Sequence, residues 1–154
     1  MEQNKFNKYF LILISFFVIY SCQFEWVEER RIFLKKIEFG LSVKDTFKQK
    51  SIKYFSQDSS NNNYILNISN LKFKKKNFYG GSGARTQQIE IIGQLEYSFS
   101  DMTSNYGGKL EISGWIPVNE NNPQAEMTAQ QKMIEELEFL LLEDLLQEYW
   151  LIES

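Results

Sequence analysis

The chain contains no histidine, and Cys22 is its single cysteine. Without histidine, the usual zinc sites and the catalytic triads built on that residue are excluded. One cysteine cannot form an internal disulfide, so stability has to come from packing. No pair of carboxylates, and no serine–lysine pair, has a spacing that indicates catalysis. The formal net charge of −3 gives no indication of nucleic-acid binding.

The position of Cys22 indicates export and lipidation. Lys5 and Lys8 precede a short apolar run at residues 10–19, which is the layout of a secretory signal peptide. A membrane-spanning helix needs roughly 20 apolar residues, so a permanent transmembrane helix is not expected. Residues 19–22, Ile-Tyr-Ser-Cys, look like a bacterial lipobox, in which cleavage leaves the cysteine as the new N-terminus.

We therefore predict a lipoprotein signal peptide at residues 1–21 and a tether at residues 22–31. N-acyl and S-diacylglycerol groups on Cys22 would hold the chain on a membrane, since each buried methylene contributes about 0.8 kcal/mol. We expect no cofactor apart from this covalent lipid, and no metal site. The alternative is an ordinary buried thiol that follows a signal sequence.

Alternation of apolar and polar residues predicts four β-strands in residues 32–154, which we assign to one domain. The strand at residues 88–99 keeps a strict period of two. Short glycine turns separate the last three strands and cannot make the crossover that parallel strands need, so we expect an antiparallel meander. The four predicted strands occupy residues 32–39, 64–73, 88–99 and 110–116.

Three local features of these strands are specific enough to test. Phe33 falls on the same apolar side as Ile37 and Phe39 in the first strand. The alternation shifts by one residue near residues 69–70, which predicts a β-bulge. The Asn-Tyr-Gly-Gly sequence at residues 105–108 predicts the turn before the last strand.

Helical spacing of apolar residues predicts two helices. The first, at residues 42–55, begins with Ser42 and Asp45, which resemble a capping box. The second begins near Thr128 and is apolar all the way round at residues 139–142. Because a helix in a two-layer domain buries one stripe, two interpretations of this surplus stay open. They are a wide core contact with frayed C-terminal residues, and a covering partner protein.

The element order β-α-β-β-β-α predicts an α+β fold. Its architecture would be a two-layer sandwich, in which a mostly antiparallel four-stranded sheet packs two helices on one face.

Several of these features occur together in one family of bacterial lipoproteins. They are the lipobox followed by Cys22-Gln23-Phe24, the element order along the mature chain, the long alternating strand at residues 88–99, and the segment at residues 122–126 before the final helix. By these residues the chain resembles LptE, the lipopolysaccharide-assembly lipoprotein.

The resemblance implies a non-enzymatic protein that is lipid-anchored to the outer membrane on its periplasmic side. LptE acts as plug and assembly partner of the LptD β-barrel and contacts lipopolysaccharide on its way to the cell surface. Gln23 supports outer-membrane delivery, because an aspartate after the lipidated cysteine commonly signals retention at the inner membrane. The alternative is a structural lipoprotein subunit of another envelope assembly complex, such as the one for outer-membrane proteins.

The resemblance also implies a basic contact for lipopolysaccharide in the predicted hairpin that turns at residues 80–83. Lipopolysaccharide presents phosphates beside acyl chains, so its contact site needs cations next to apolar or aromatic groups. Lys74, Lys75 and Lys76 precede the glycine turn, and Arg85 follows it. We predict that these four residues contact lipopolysaccharide. The alternative is a solvated edge strand, in which lysines discourage aggregation.

Overall fold

The computed structural model describes residues 31–58, 63–80, 85–118 and 121–153. The predicted signal peptide, Cys22 and the tether up to residue 30 lie outside these ranges, as do residues 81–83 of the predicted glycine turn. The elements are β1 (Ile32–Leu34), β2 (Lys36–Phe39), α1 (Asp45–Tyr54), β3 (Phe55–Gln57), β4 (Ile65–Gly80), β5 (Arg85–Ser100), β6 (Asn105–Pro117) and α2 (Pro123–Glu153).

Four strands form one sheet in the order β2-β4-β5-β6. β4, β5 and β6 are paired antiparallel, as predicted, and β2 runs parallel to β4. The register of β4 on β5 shifts between Ile68 and Asn70, which confirms the predicted bulge. Buried side chains of both helices and of the sheet belong to one apolar cluster. The predicted α+β fold is therefore confirmed.

The width of the core contact explains most of the apolar surface of α2. Leu142 and Tyr149 are fully buried, and Leu146 packs partly buried against the same cluster. Phe139 and Trp150 remain 45% and 44% exposed. They are eleven residues apart, close to three turns, so both lie on one face of the helix.

The first predicted strand is in fact two strands, and the predicted apolar side of its first half was wrong. Ile32 and Leu34 are buried, whereas Phe33 is 51% exposed. β1 pairs with β3, but the Lys35 N–H donates to the carbonyl of Tyr64 at 2.9 Å, and from there the chain pairs with β4. The chain changes partner at this bend, and the alternation is interrupted with it.

The turn before β6 was predicted four residues too late. The connection is made by residues 101–104, where the Asp101 carboxylate accepts the backbone N–H groups of Thr103 and Ser104, each at 2.6 Å. These bonds favour the charged carboxylate and lower the pKa of Asp101. Gly108 instead lies inside β6 opposite Tyr97, where a Cβ would come within 3.0 Å of the tyrosine hydroxyl.

The predicted capping box of the first helix was also wrong. α1 begins at Asp45, and its N-cap residue Lys44 makes no side-chain capping bond. The Ser42 hydroxyl donates instead to the Asn70 side chain at 2.9 Å. Asn70 lies at the bulge of β4, so Ser42 joins this loop to the sheet.

The final helix begins earlier than predicted. The Asn122 side-chain oxygen accepts the N–H of Ala125 at 3.0 Å, which is the bond of an N-cap asparagine. Pro123 occupies the first helical position, where its missing N–H costs nothing. Thr128 lies inside the helix and donates to the carbonyl of Gln124.

Two partly buried polar contacts hold α2 in place, one with α1 and one with the sheet. The Lys50 ammonium of α1 lies 2.7 Å from the Glu138 carboxylate of α2, which is only 5% exposed. The Tyr97 hydroxyl of β5 donates to the Glu148 carboxylate of α2 at 2.8 Å. Burial, reinforced by this hydrogen bond and by the negative charge, raises the pKa of Tyr97.

Tyr97→Phe should change the alkaline stability of the protein. The raised pKa keeps the tyrosine protonated in the folded chain while the unfolded chain ionises near its ordinary value of about 10. This contribution is complete below pH 10, and above it is lost by up to about 1.4 kcal/mol per pH unit. In denaturant unfolding, the free energy of unfolding of Tyr97→Phe should fall less steeply above pH 10 than that of the wild type. At neutral pH it should be about 1 kcal/mol lower than in the wild type. Equal alkaline slopes in both proteins would contradict this role.

Gly40→Ala should destabilise the domain more than Gly114→Ala. A Cβ at Gly40 would overlap the backbone carbonyl of Ser69, which the bulge and the hydrogen bond from the Gly40 N–H to the Ile68 carbonyl hold in place. A Cβ at Gly114 would meet the thioether of Met133, which can rotate away. We expect a loss of about 2 kcal/mol or more for Gly40→Ala and clearly less for Gly114→Ala in denaturant unfolding. The reverse order would refute the close approach.

Candidate functional site

Strand geometry divides the predicted lysine cluster between the two faces of the sheet. Lys74 and Lys76 pair in register with Ile92 and Glu90, whereas Lys75 pairs with Ile91, which is buried in the core. Since successive side chains of a strand point to opposite faces, Lys75 points towards the helices. Its ammonium lies 3.9 Å from the carboxylate of Glu126 in the first turn of α2. Lys74 and Lys76 lie on the face without helices, here named the open face.

An aromatic pair lies beside these lysines. Phe78 has the same strand parity as Lys74 and Lys76, and its ring centroid is 4.6 Å from that of Trp115. Trp115 pairs with Glu90, which pairs in turn with Lys76, so β5 brings residues of β4 and β6 together. Phe78 and Trp115 are 41% and 47% exposed. Lys74, Lys76, Phe78 and Trp115 form what we name the open-face cluster.

The open-face cluster has a compact apolar base. Ile92 belongs to the open face by its parity, yet it is only 5% exposed. Its register neighbours are Lys74 and Ser113, and Lys76 and Trp115 are its diagonal neighbours. Lys74, Lys76 and Trp115 are thus the neighbours placed to cover it, as long basic side chains often cover apolar surface. The open-face cluster therefore combines two lysines with apolar and aromatic side chains on one face of the sheet.

Carboxylates on the same face moderate the positive charge. The Lys76 ammonium lies 3.9 Å from the Glu90 carboxylate; the lysine side chain is 60% exposed and the glutamate side chain 14%. Hydrogen bonds from Gln94 and Lys109 lower the pKa of Glu111, to which Lys74 adds a smaller effect. Among the side chains that the structure describes, Lys74 has no carboxylate within 4.0 Å. Lys74 is thus the lysine of the cluster most available to an anionic ligand.

The remaining predicted contact residues are only partly placed. Arg85 pairs with Gly80 at the end of the hairpin, which brings its backbone to the tip beyond Phe78; its side chain lies outside the described part of the structure. Tyr79 is well exposed at the same end. Cys22, the predicted lipidation site, falls within residues 1–30, which are not described.

One other part of the domain was a candidate for a site. An apolar groove of about 240 Å³ lies at the opposite edge of the sheet, lined by Ile37, Phe39, Ile52, Phe55 and Gln57.

Within residues 31–58, 63–80, 85–118 and 121–153, no cluster of three or more acidic, cysteine or histidine side chains could hold a metal ion. Over the same residues, no helix is both long and apolar enough to cross a bilayer.

Sequence reasoning did not include Trp115 in the site. In β6, Trp115 lies on the face opposite Leu110, Ile112 and Ile116, which pack against the core. Its proximity to Phe78 depends on two registers at once, that of β4 on β5 and that of β5 on β6. Because the turn before β6 was predicted four residues too late, the sequence did not give the register of β5 on β6 correctly.

Three solved structures share this arrangement of helices and strands. Rare lipoprotein B from Shewanella oneidensis superposes with a TM-score of 0.62 at 12% identity, covering 77% of this chain and 96% of that one. A minor lipoprotein from Acinetobacter baumannii superposes with a TM-score of 0.58 at 12% identity, covering 76% of this chain and 91% of that one. Lipoprotein B from Nitrosomonas europaea superposes with a TM-score of 0.58 at 8% identity, covering 76% of this chain and 84% of that one.

These three proteins are lipoproteins of the LptE type. The chain has the LptE-type fold. The resemblance predicted from the sequence is therefore confirmed at the level of the fold, which is what identities of 8 to 12% can show. No family model matches the chain, and no curated protein sequence matches it either.

Proposed function

We propose that the protein is an outer-membrane lipoprotein of the LptE type, anchored through Cys22 on the periplasmic side. In this role it plugs a β-barrel of the LptD type, assists its assembly, and contacts lipopolysaccharide during transport to the cell surface. The observation that carries the proposal is the coincidence of two independent features. The domain has the LptE-type fold, and a lipobox precedes it in the sequence.

The helix layer offers a surface that a surrounding barrel wall can contact. Phe139 and Trp150 lie half-exposed on one face of α2, and the Phe139 ring packs edge-on against Tyr54 of α1 at a centroid distance of 6.0 Å. Ile52 of α1 is also more than half exposed. Aromatic side chains are enriched at protein interfaces and charged ones are depleted at interface centres. This surface supports a binding and assembly role without catalysis.

The open-face cluster supports the contact with lipopolysaccharide. Lys74 and Lys76 provide cations for phosphate groups, and Phe78 and Trp115 provide an exposed aromatic surface beside them for acyl chains. Of the four residues predicted from the sequence, we keep Lys74, Lys76 and Arg85 in the proposed contact. Lys75 is left out because its ammonium is directed to Glu126 on the helix side.

Edge protection is a second role for the same lysines. β2 pairs with β4 only along Ile65–Ile68, so the hairpin half of β4 has β5 on one side alone among the described strands. Lysines along such an edge make pairing with another chain costly. Ligand binding distinguishes the two roles, because edge protection requires positive charge and no lipopolysaccharide.

Purification of the full-length chain in detergent from its native envelope tests the partner. An outer-membrane barrel of the LptD type should be recovered in about equimolar amount, identified by mass spectrometry, because a plug is enclosed by its barrel. The control is an unrelated lipoprotein with the same tag and detergent. Recovery with a different assembly complex would favour the alternative of a structural subunit elsewhere in the envelope. Recovery without any partner would contradict the plug role.

Neutralising the open-face lysines should weaken lipopolysaccharide binding. For Lys74→Gln/Lys76→Gln we expect about tenfold weaker binding, since a lysine near an anionic lipid surface contributes about 1 kcal/mol and Lys76 is already paired with Glu90. The matched control is Lys48→Gln/Lys75→Gln, which removes the same charge from α1 and from the helix side of β4. Binding of full-length protein to purified lipopolysaccharide gives the measurement. Equal weakening in both variants would refute a specific contact on the open face.

A further inference from the structure

Among the described residues, the outer edge of β6 is a long row of backbone groups that pair with no other strand. β6 is 13 residues long and pairs with β5 along its whole length, with no shift of register. In the part of the chain that the structure describes, β6 is the last strand of its sheet. A long edge strand of this kind is a template for pairing with another strand.

Two hydrogen bonds show which backbone groups face outwards. The Val118 N–H donates to the carbonyl of Gln87 at 3.1 Å, and the carbonyl of Ser104 accepts the N–H of Asp101 at 2.9 Å. Both bonds follow the register of β5 on β6 and use even-numbered residues on the β6 side. Backbone groups of antiparallel strands alternate between the two sides. The odd-numbered residues, Gly107, Lys109, Glu111, Ser113 and Trp115, therefore direct their N–H and carbonyl groups away from β5.

This edge lacks the protection that the other long edge has. The hairpin half of β4 carries four lysines within residues 72–76, whereas Lys109 is the single lysine of β6. Side chains at all the outward-facing positions of β6 are exposed. Bulges and proline are the other common devices that prevent pairing. β6 has neither before Pro117 at its end.

The charges along β6 are self-complementary in one antiparallel register. Two copies related by a two-fold axis pair residues whose numbers add to twice the number of the axis residue. An axis at Leu110 places Lys109 opposite Glu111 of the partner subunit, and symmetry repeats the pair. An axis at Lys109 or at Glu111 would place like charges opposite each other, and opposed like charges are destabilising.

The backbone parity agrees with the same axis. Lys109 and Glu111 both direct their backbone groups outwards, so they can exchange hydrogen bonds with each other across the axis. The axis residue Leu110 would face its own copy in the close pair without hydrogen bonds, where Cα atoms lie about 4.5 Å apart. Gly107 would face Ser113 of the partner subunit, and these small side chains leave room for the approach.

We propose that two copies of this chain pair through their β6 edges, antiparallel and with the two-fold axis at Leu110. The pairing joins two four-stranded sheets into one sheet of eight strands. A closed β-barrel wall has no free strand edge, so the barrel of the proposed function does not occupy this edge by strand pairing. The proposal concerns the chain outside any such complex and stands independently of the proposed function.

Cysteine cross-linking of the full-length protein in detergent tests the register. Leu110→Cys places two thiols at the axis, and mild oxidation should give a disulfide-linked dimer in most of the protein. The matched control is Ser113→Cys on the same edge, whose two copies would be six residues apart, about 20 Å. Cys22 is present in both variants and in the wild type, which gives the background. Cross-linking of Ser113→Cys as strong as that of Leu110→Cys would overturn the proposed register.

A charge exchange tests the same register without a core-facing substitution. Lys109→Glu and Glu111→Lys each oppose like charges across the axis, and each should associate with itself about tenfold more weakly in sedimentation measurements. Mixing the two variants restores opposite charges in both symmetry-related pairs, and the mixture should recover the wild-type dimer. Circular dichroism checks that both variants fold. A monomeric wild type, or two variants that fail to pair when mixed, would overturn the proposal.

Discussion

The pairing of β5 with both β4 and β6 is the constraint on which the rest of the structure depends. This central strand sets two registers at once and thereby decides which side chains enter the core and which stay on the open face. Because side chains alternate along a strand, a shift of one residue would exchange the two faces completely. The bulge after Ile68 makes one such correction, so that apolar residues on both sides of it reach the same core.

The parts of the fold that could be predicted are those whose signal is local. The strict alternation at residues 88–99 and the shift of alternation at residues 69–70 of the preceding strand can both be read from the sequence, and the structure confirms both. The failures depend on contacts distant in the chain. Ser42 has the sequence pattern of a helix N-cap, but its hydroxyl donates to the side chain of Asn70 instead. Gly108 has the sequence pattern of a turn residue, but it lies within β6, where the absence of a side chain leaves room for Tyr97.

The candidate site was predicted as a region, and its geometry was not. A run of adjacent lysines was treated as one group, although alternation alone sends Lys75 to the opposite face from Lys74 and Lys76. That information was present in the sequence once the segment was assigned to a strand. The approach of Trp115 to Phe78 could not be predicted from the sequence. It requires two strand registers, which side-chain patterns do not specify to the residue. The lipidation site at Cys22 stays a prediction.

The parallel pairing of β2 with β4 has a consequence for the order of folding. The meander of β4, β5 and β6 joins neighbours through short connections, whereas β2 must wait for a strand more than 25 residues further along the chain. Loop closure over longer separations costs more entropy, and non-local pairs form more slowly. We therefore expect the meander of β4, β5 and β6 to nucleate the domain and β2 to dock late. The end of the domain nearest the predicted lipid anchor would then be the last to become ordered and the first to open under tension.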